Sequence, residues 1–302
     1  MEEGRFFQWF VADNDLEKNL NKFFLRVLFA LLNFRLFRLA TKPFVKSLRP
    51  IKDILVKIEN YKMYANTLDR IIVLYLWKFS ILESYESRII KKIIKKGMIV
   101  LDIGANIGYY TVQAATLVGS KGKVFAFEPE LENYSLLVKN IKANSYNNII
   151  PVQKAVSDKA GKTNLFLCEE NKGDHRIFDS DVDRNSIEVE TTRLDDFFPD
   201  NEHIDVIKMD IQGSEYLALL GMERIIKRNK RLIIISEFSP YLLKRCGFSA
   251  EQFLNLIINL GFKLQYINEK KRRIESATPD NLIKMCDENK LYDYVSLYLE
   301  NI

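Results

Sequence analysis

Short apolar runs separated by amphipathic stretches begin at Met98 and continue to the end of the chain. Met98–Ile103, Val124–Phe127, Ile149–Val152, Ile204–Met209 and Arg231–Ile235 read as strands. Tyr110–Leu117, Glu132–Asn144, Tyr216–Ile226 and Ala250–Leu260 carry helical spacing. Strands alternating with helices predict an α/β protein, a mostly parallel sheet flanked by helices. Thr163–Cys168 and Ile187–Thr192 alternate polar and apolar residues, which predicts an added antiparallel pair between the third and fourth strands. Gly261–Ile267 and Tyr294–Leu299 are expected as closing strands.

Residues 20–95 follow a different pattern. They contain no glycine and read as helical, with expected helices over 53–76 and 80–95. The basic run Lys91, Lys92, Lys95, Lys96 before Gly97 marks a helix stop. The expected organisation is therefore an α-helical, basic and amphipathic N-terminal extension over 1–97 and a second domain over 98–302. Leu20–Arg38 is rich in Leu and Phe, but arginines 26, 35 and 38 interrupt it. Its uncharged stretch is far short of the roughly 20 apolar residues that span a bilayer. It either packs on the body or lies flat as a peripheral membrane contact through residues 20–40.

Charge sharpens this division. Residues 1–97 hold 19 basic and 10 acidic side chains, a net of +9; the remainder holds 26 and 30, a net of −4. A basic front suggests an anionic partner, either a membrane surface or nucleic acid. The three cysteines, Cys168, Cys246 and Cys286, are scattered without CxxC spacing, which argues for reduced thiols. With Met1-Glu-Glu acidic where a signal peptide is positive, the expected location is cytoplasmic, with membrane contact from the front left open.

The strongest chemical signal is Asp102-Ile-Gly104-Ala-Asn106-Ile-Gly108, directly after the first strand. Glycines there permit a tight turn and close approach of a ligand to the backbone. In open α/β sheets ligands bind at the carboxyl ends of strands. Asp102 can accept from an amino group, and Asn106 offers both donor and acceptor to an α-amino-carboxylate. Glu128, closing the second strand, can accept from ribose hydroxyls. A dinucleotide is disfavoured, because the middle glycine of GxGxxG is missing and Asp102 would repel phosphate.

Asp-x-Gly-x-Asn-x-Gly followed by Phe127-Glu128-Pro129, Ala155-Val-Ser-Asp158, Thr192-Arg-Leu-Asp195 and Lys208-Met-Asp210-Ile-Gln-Gly213-Ser-Glu215 resembles the FkbM family of S-adenosylmethionine-dependent methyltransferases. The resemblance runs roughly from Val100 to Glu237. It implies a class I methyltransferase-like, Rossmann-like fold and S-adenosylmethionine as cofactor. By resemblance Asp102, Gly104, Asn106, Gly108 and Glu128 bind that cofactor, with Asp158 near the adenine. It also implies a small-molecule, glycan or glycolipid acceptor methylated on a hydroxyl, or a secondary metabolite. Gln212 departs from the family, which commonly has Glu there, and this weakens any role for position 212 as base or metal ligand.

A hydroxyl acceptor needs a base or a metal nearby. Asp210 ends the fourth strand, Glu215 opens the next helix and Glu237 closes the fifth strand, so three carboxylates can converge. His175, with Arg176 beside it, lies between the two added strands and has the ordinary pKa of a base at neutral pH. His175, Asp210 and Glu237 are thus the catalytic candidates, against the plainer reading that the acids bond loop amides and the histidine is a surface residue. No spacing demands a metal, although a divalent cation on these oxygens is left open. His203 reads as ordinary loop. Two other readings stand beside methyl transfer to a hydroxyl. One is a membrane-associated binding protein of the same fold without catalysis. The other, a nucleic-acid methyltransferase, is disfavoured by the acidic body and the lack of an Asn/Asp-Pro-Pro-aromatic motif. An oligomer is left open.

Overall fold

The computed structural model describes residues 53–58, 60–66, 84–168, 171–178, 184–291 and 293–301. The expected segment 20–40 lies outside them. Residues 53–302 form one compact unit, which takes in more of the chain than the body expected from residue 98.

Residues 53–66 are not helical, as expected from the lack of glycine. They form an antiparallel hairpin of β1 (Asp53–Ile58) and β2 (Tyr61–Asn66), with Ile58 opposite Tyr61. The spacing explains the correction: Tyr61, Met63 and Ala65 are buried while Lys62 is exposed, a period of two rather than 3.6. β-Branched Val56 and Ile58 suit the pleated strand opposite. The next element is helical as expected: α1 (Tyr85–Ile93) starts on Ser84, whose side chain accepts from Ser87 N.

Then follow β3 (Ile99–Ile103), α2 (Tyr109–Val118), β4 (Lys123–Phe127), α3 (Leu131–Ala143) and β5 (Ile149–Val152). A small three-stranded sheet comprises β6 (Ala155–Val156), β7 (Gly161–Phe166) and β8 (Ser186–Thr192), in which β7 and β8 are the expected antiparallel pair. After the single turn α4 (Leu194–Phe197) come β9 (Val206–Met209), α5 (Glu215–Leu220), α6 (Glu223–Arg228) and β10 (Ile233–Phe238). The expected helix 216–226 is split in two. Gly221 marks the break, because the chain closes there on the Ser157 carbonyl and leaves no room for a Cβ. The Asp195 carboxylate starts α6 afresh by accepting Arg224 N at 3.0 Å and Ile225 N at 2.9 Å. The chain ends with α7 (Pro240–Arg245), α8 (Ala250–Asn259), β11 (Gln265–Asn268), β12 (Arg273–Ser276), α9 (Pro279–Met285) and β13 (Val295–Glu300).

The large sheet has the order β12-β11-β13-β10-β9-β3-β4-β5. From β10 to β5 its neighbours are parallel, and β13 enters antiparallel to β10. The chain leaves β3 in one direction through β4 to β5, then returns to β9 on β3's other side. The sheet thus reverses between β3 and β9, which is the switch point where a class I, Rossmann-like fold holds its ligand. Both faces are covered: Leu101, Ile103, Ile207 and Met209 pack on one side, Val100, Val124, Val206 and Ile235 on the other. Among the described residues no helix is long and apolar enough to cross a membrane.

The hairpin is bolted to α3 through side-chain amides. Asn140 accepts from Tyr64 N at 2.6 Å and donates to Tyr64 O at 3.1 Å and Ile107 O at 2.8 Å. Asn144 repeats the pairing with Lys62, and Lys139 meets Asp53 at 2.5 Å. Asn140→Leu removes three buried bonds at once and leaves their backbone partners unpaired. A loss of about 2–4 kcal/mol is expected from urea denaturation. A loss below about 0.5 kcal/mol would show that the hairpin contributes little to holding the loop at Ile107.

Candidate cofactor and acceptor site

The loop after β3 turns sharply over the end of β4. Gly104 N and Ala105 N both donate to Phe127 O, at 3.0 and 2.9 Å. Gly104 (φ 81°) and Gly108 (φ 93°) occupy the left-handed region, and Asn106 joins them at φ 50°. Asn106 tolerates that backbone because its Oδ1 accepts from the next amide, Ile107 N, at 2.7 Å. Space is as limiting as backbone angle: a Cβ at Gly104 would overlap the Asp210 carbonyl, and one at Gly108 would lie 2.6 Å from Leu137 Cδ1.

Glu128 locks this loop to β4. Its two carboxylate oxygens accept one amide each, Asn106 N at 2.8 Å and Glu130 N at 2.9 Å. Burial pushes its pKa up to about 7 in spite of those bonds. Asp102 is also buried, and accepts from the Thr111 hydroxyl at 2.5 Å. Burial raises it to about 6, opposed by the Thr111 bond and the Lys208 charge. With the two amides and the Asn133 side chain as partners, the Glu128 carboxylate has room for one further donor, and Asn133 Oδ1, also buried, has no partner. This set of acceptors asks for donors. Ribose hydroxyls and an amino group supply them, whereas a pyrophosphate would bring only more acceptors. The residues present therefore fit an adenosyl amino acid.

Residues 171–176 cross over the same loop. Lys172 O accepts from both Asn106 Nδ2 at 3.2 Å and Asn133 Nδ2 at 2.9 Å. Asp174 is buried beneath, paired with Arg176 and Arg184 at 2.6 and 2.9 Å. Arg176 is thus committed to an internal ion pair and does not reach out to grip a substrate. His175 is similarly constrained. Its Nδ1 accepts from Cys168 N at 3.0 Å, which leaves Nε2 as the protonated nitrogen. Burial lowers its pKa to about 4, so the ring is neutral and its basic lone pair is already used. That arrangement does not suit the general base proposed for His175. Asp158 follows β6 and accepts from Ser157 Oγ at 3.0 Å; no described hydrogen bond ties it to the loop.

At the end of β9 the carboxylates do converge. Asp210 takes Gln212 Nε2 on one oxygen at 2.8 Å, while its other oxygen lies 3.8 Å from Lys208 Nζ. Its side chain is 42% exposed, whereas Glu215 is buried. Glu215 instead accepts Ile211 N at 3.0 Å and Gly213 N at 2.9 Å, the plainer reading of that residue. Burial raises it to about 7. Burial raises Glu237 well above its ordinary value, and neighbouring Asp210 and Glu215 push it the same way. Among the described residues no group of three or more His, Cys, Asp or Glu is arranged to hold a metal ion.

Three site residues were not expected. Glu86 on α1 reaches Lys208 Nζ at 3.7 Å, and Tyr110 Oη donates to Glu86 Oε1 at 2.9 Å. Asn133, three residues into the cap of α3, carries the orphaned acceptor. No motif marks Glu86, which lies before the recognisable pattern; the spacing of Glu130 and Asn133 as a helix start was the only available signal for the latter.

The methyltransferase FkbM domain model matches residues 102–264. Among curated proteins, methyltransferase sdnD of Sordaria araneosa is 24% identical over 175 residues, 47% of this chain and 66% of that protein. Hexuronic acid methyltransferase AglP of Haloferax volcanii is 25% identical over 136 residues, 44% of this chain and 53% of that protein. The matched stretches thus span less than two thirds of either relative. Among solved structures, a SAM dependent methyltransferase from Aquifex aeolicus superimposes with a TM-score of 0.42 at 15% identity, covering 71% of this chain and 88% of that one. With more than half its length matched, the chain belongs to the methyltransferase FkbM domain family, and the cofactor of that domain is S-adenosylmethionine.

Proposed function

We propose that the protein methylates a hydroxyl of a carbohydrate, glycolipid or secondary metabolite. The observation that carries this reading is the juxtaposition at the switch point. The acceptors Glu128 and Asn133 flank the β3 loop, which closes on the Asp210 backbone at Gly104, and the Asp210 carboxylate is half exposed at the end of the neighbouring strand. Bound S-adenosylmethionine supplies an electrophilic methyl group on a sulfonium. Asp102 and Glu128 hold the amino and ribose ends, and the loop from Gly104 to Gly108 sets their spacing. Asp210 receives the hydroxyl proton, being the exposed acid of the group. The name of the hexuronic acid relative supports a sugar acceptor.

Calorimetry of the purified chain should show S-adenosylmethionine binding, and the double variant Asp102→Ala, Glu128→Ala should abolish it. Wild-type protein without measurable binding would overturn the reading. Radiolabelled methyl should then enter a hydroxyl-bearing fraction of host extract. Binding without transfer to any lipid, glycan or small-molecule fraction would favour a non-catalytic binding protein instead.

A further inference from the structure

Lys208 is buried, yet its ammonium has no oxygen within hydrogen-bond reach among the described residues. Glu86 Oε1 stands at 3.7 Å, Asp210 Oδ2 at 3.8 Å and the Tyr110 ring centroid at 5.1 Å. An ammonium carries three donors, and burial leaves few ways to satisfy them. Both separations are longer than a direct hydrogen bond, so an ammonium donor is left for an oxygen arriving beside Asp210, whose side chain is 42% exposed.

The surrounding charges select what that oxygen belongs to. Lys208 pairs with Asp102 across β3 and β9, and Glu86, Asp210 and Glu237 complete its surroundings. Burial alone would lower its pKa, but these carboxylates outweigh it and hold the ammonium charged. An anionic group would meet the carboxylates, and a cationic amine would meet the ammonium. A neutral hydroxyl accepts from Lys208 and donates to Asp210, and so satisfies both.

We propose that Lys208 and Asp210 seat the acceptor's uncharged hydroxyl, with Glu86 as a positioning residue that fixes Lys208 there. The proposal rests on the methyl-transfer reading. Glu86 is itself fixed from three sides. Tyr110 Oη and Ser296 Oγ donate to its carboxylate, and its own amide donates to Glu269 at 2.9 Å. It stands before the matched residues 102–264, so part of the acceptor seat lies outside the family domain. The hydroxyl oxygen forms its bond to the methyl carbon as the sulfur–carbon bond breaks. The electron pair of that bond stays on sulfur, and the hydroxyl proton passes to Asp210. Lys208 remains charged and opposes the negative charge building on oxygen.

Two measurements decide the proposal. First, a crystal structure of the full chain soaked in glycerol, as an uncharged polyol probe, should show an oxygen within hydrogen-bond distance of both Lys208 Nζ and Asp210 Oδ2. A direct Lys208–Asp210 contact or an empty gap overturns the seat, whatever becomes of the methyl-transfer reading. Second, methyl transfer to the labelled hydroxyl fraction should fall about a hundredfold or more in Lys208→Met, with S-adenosylmethionine affinity within a few-fold of wild type. In Glu86→Gln kcat of transfer should fall about tenfold with S-adenosylmethionine affinity unchanged, and Glu86→Asp should recover part of the loss. Full activity in Glu86→Gln overturns the role of Glu86, and full activity in Lys208→Met overturns that of Lys208. Failure of wild type to bind cofactor would sink methyl transfer alone, and the glycerol structure would still decide the seat.

Discussion

Gly104→Ala is expected to eliminate S-adenosylmethionine binding and to cost about 3 kcal/mol or more of stability. Two penalties coincide at this position. A backbone at φ 81° is unfavourable for any residue with a Cβ, by about 1–2 kcal/mol. The added methyl also overlaps the Asp210 carbonyl oxygen, and because that oxygen is backbone it cannot swing aside like a side chain. Relief requires the β3 loop and the β9 end to separate, which costs about 1–3 kcal/mol and spoils both halves of the site. Gly97 is the control. Its φ of 87° is nearly the same, but a Cβ there meets nothing within 4 Å. Gly97→Ala should therefore show only the backbone penalty and bind cofactor normally. Urea denaturation and calorimetry on the two variants separate the effects. Equal losses of stability, or cofactor binding retained in Gly104→Ala, would mean that the close approach of the two strand ends does not shape the site.

The parallel sheet and the tight turn of the loop after β3 were legible because both are written locally. β3, β4, β5, β9 and β10 are short apolar runs bounded by polar turns, and the loop's glycines and Asn106 are contiguous. The place of Glu128 could be read because it depends only on closing the strand beside that loop. The hairpin β1–β2 was missed for a different reason. Absence of glycine points to helix, whereas Tyr61, Met63 and Ala65 alternate with Lys62 and Tyr64 in strand fashion. The acceptor side was only half legible, since its chemistry depends on what each side chain meets across the fold. His175 looks like a base until its Nδ1 is seen accepting from Cys168 N. Glu215 and Asp210 look alike in sequence, but one is consumed by two amides and the other is half exposed. Glu86 could not be found at all, because its partner Lys208 comes from a distant part of the chain and only packing of α1 on the sheet joins them.

The affinity for S-adenosylmethionine is expected to rise at least tenfold from pH 5.5 to pH 7, and Glu128 is the reason. Burial holds its pKa near 7, against an ordinary 4.5, so at pH 5.5 almost all of it is protonated and at pH 7 about half is ionised. The ionised form accepts from a ribose hydroxyl, so binding follows ionisation. Asp102, raised to about 6, acts in the same direction but contributes only a few-fold over that range. Glu128→Gln should flatten the profile to that smaller change while weakening binding throughout. Stability of the ligand-free protein should run the other way. The folded state binds the Glu128 proton more tightly than the unfolded chain does. Its stabilising effect is therefore complete below about 4.5 and is lost as pH rises to about 7, a change of about 3 kcal/mol. The gap between denaturation midpoints at pH 5 and pH 7.5 should shrink in Glu128→Gln by the share of Glu128, while Asp102 and Glu215, raised to about 6 and about 7, keep theirs. If wild-type affinity is flat across this range, or if the variant keeps the full slope, the ionisation that controls binding belongs to another group and Glu128 does not hold the ribose.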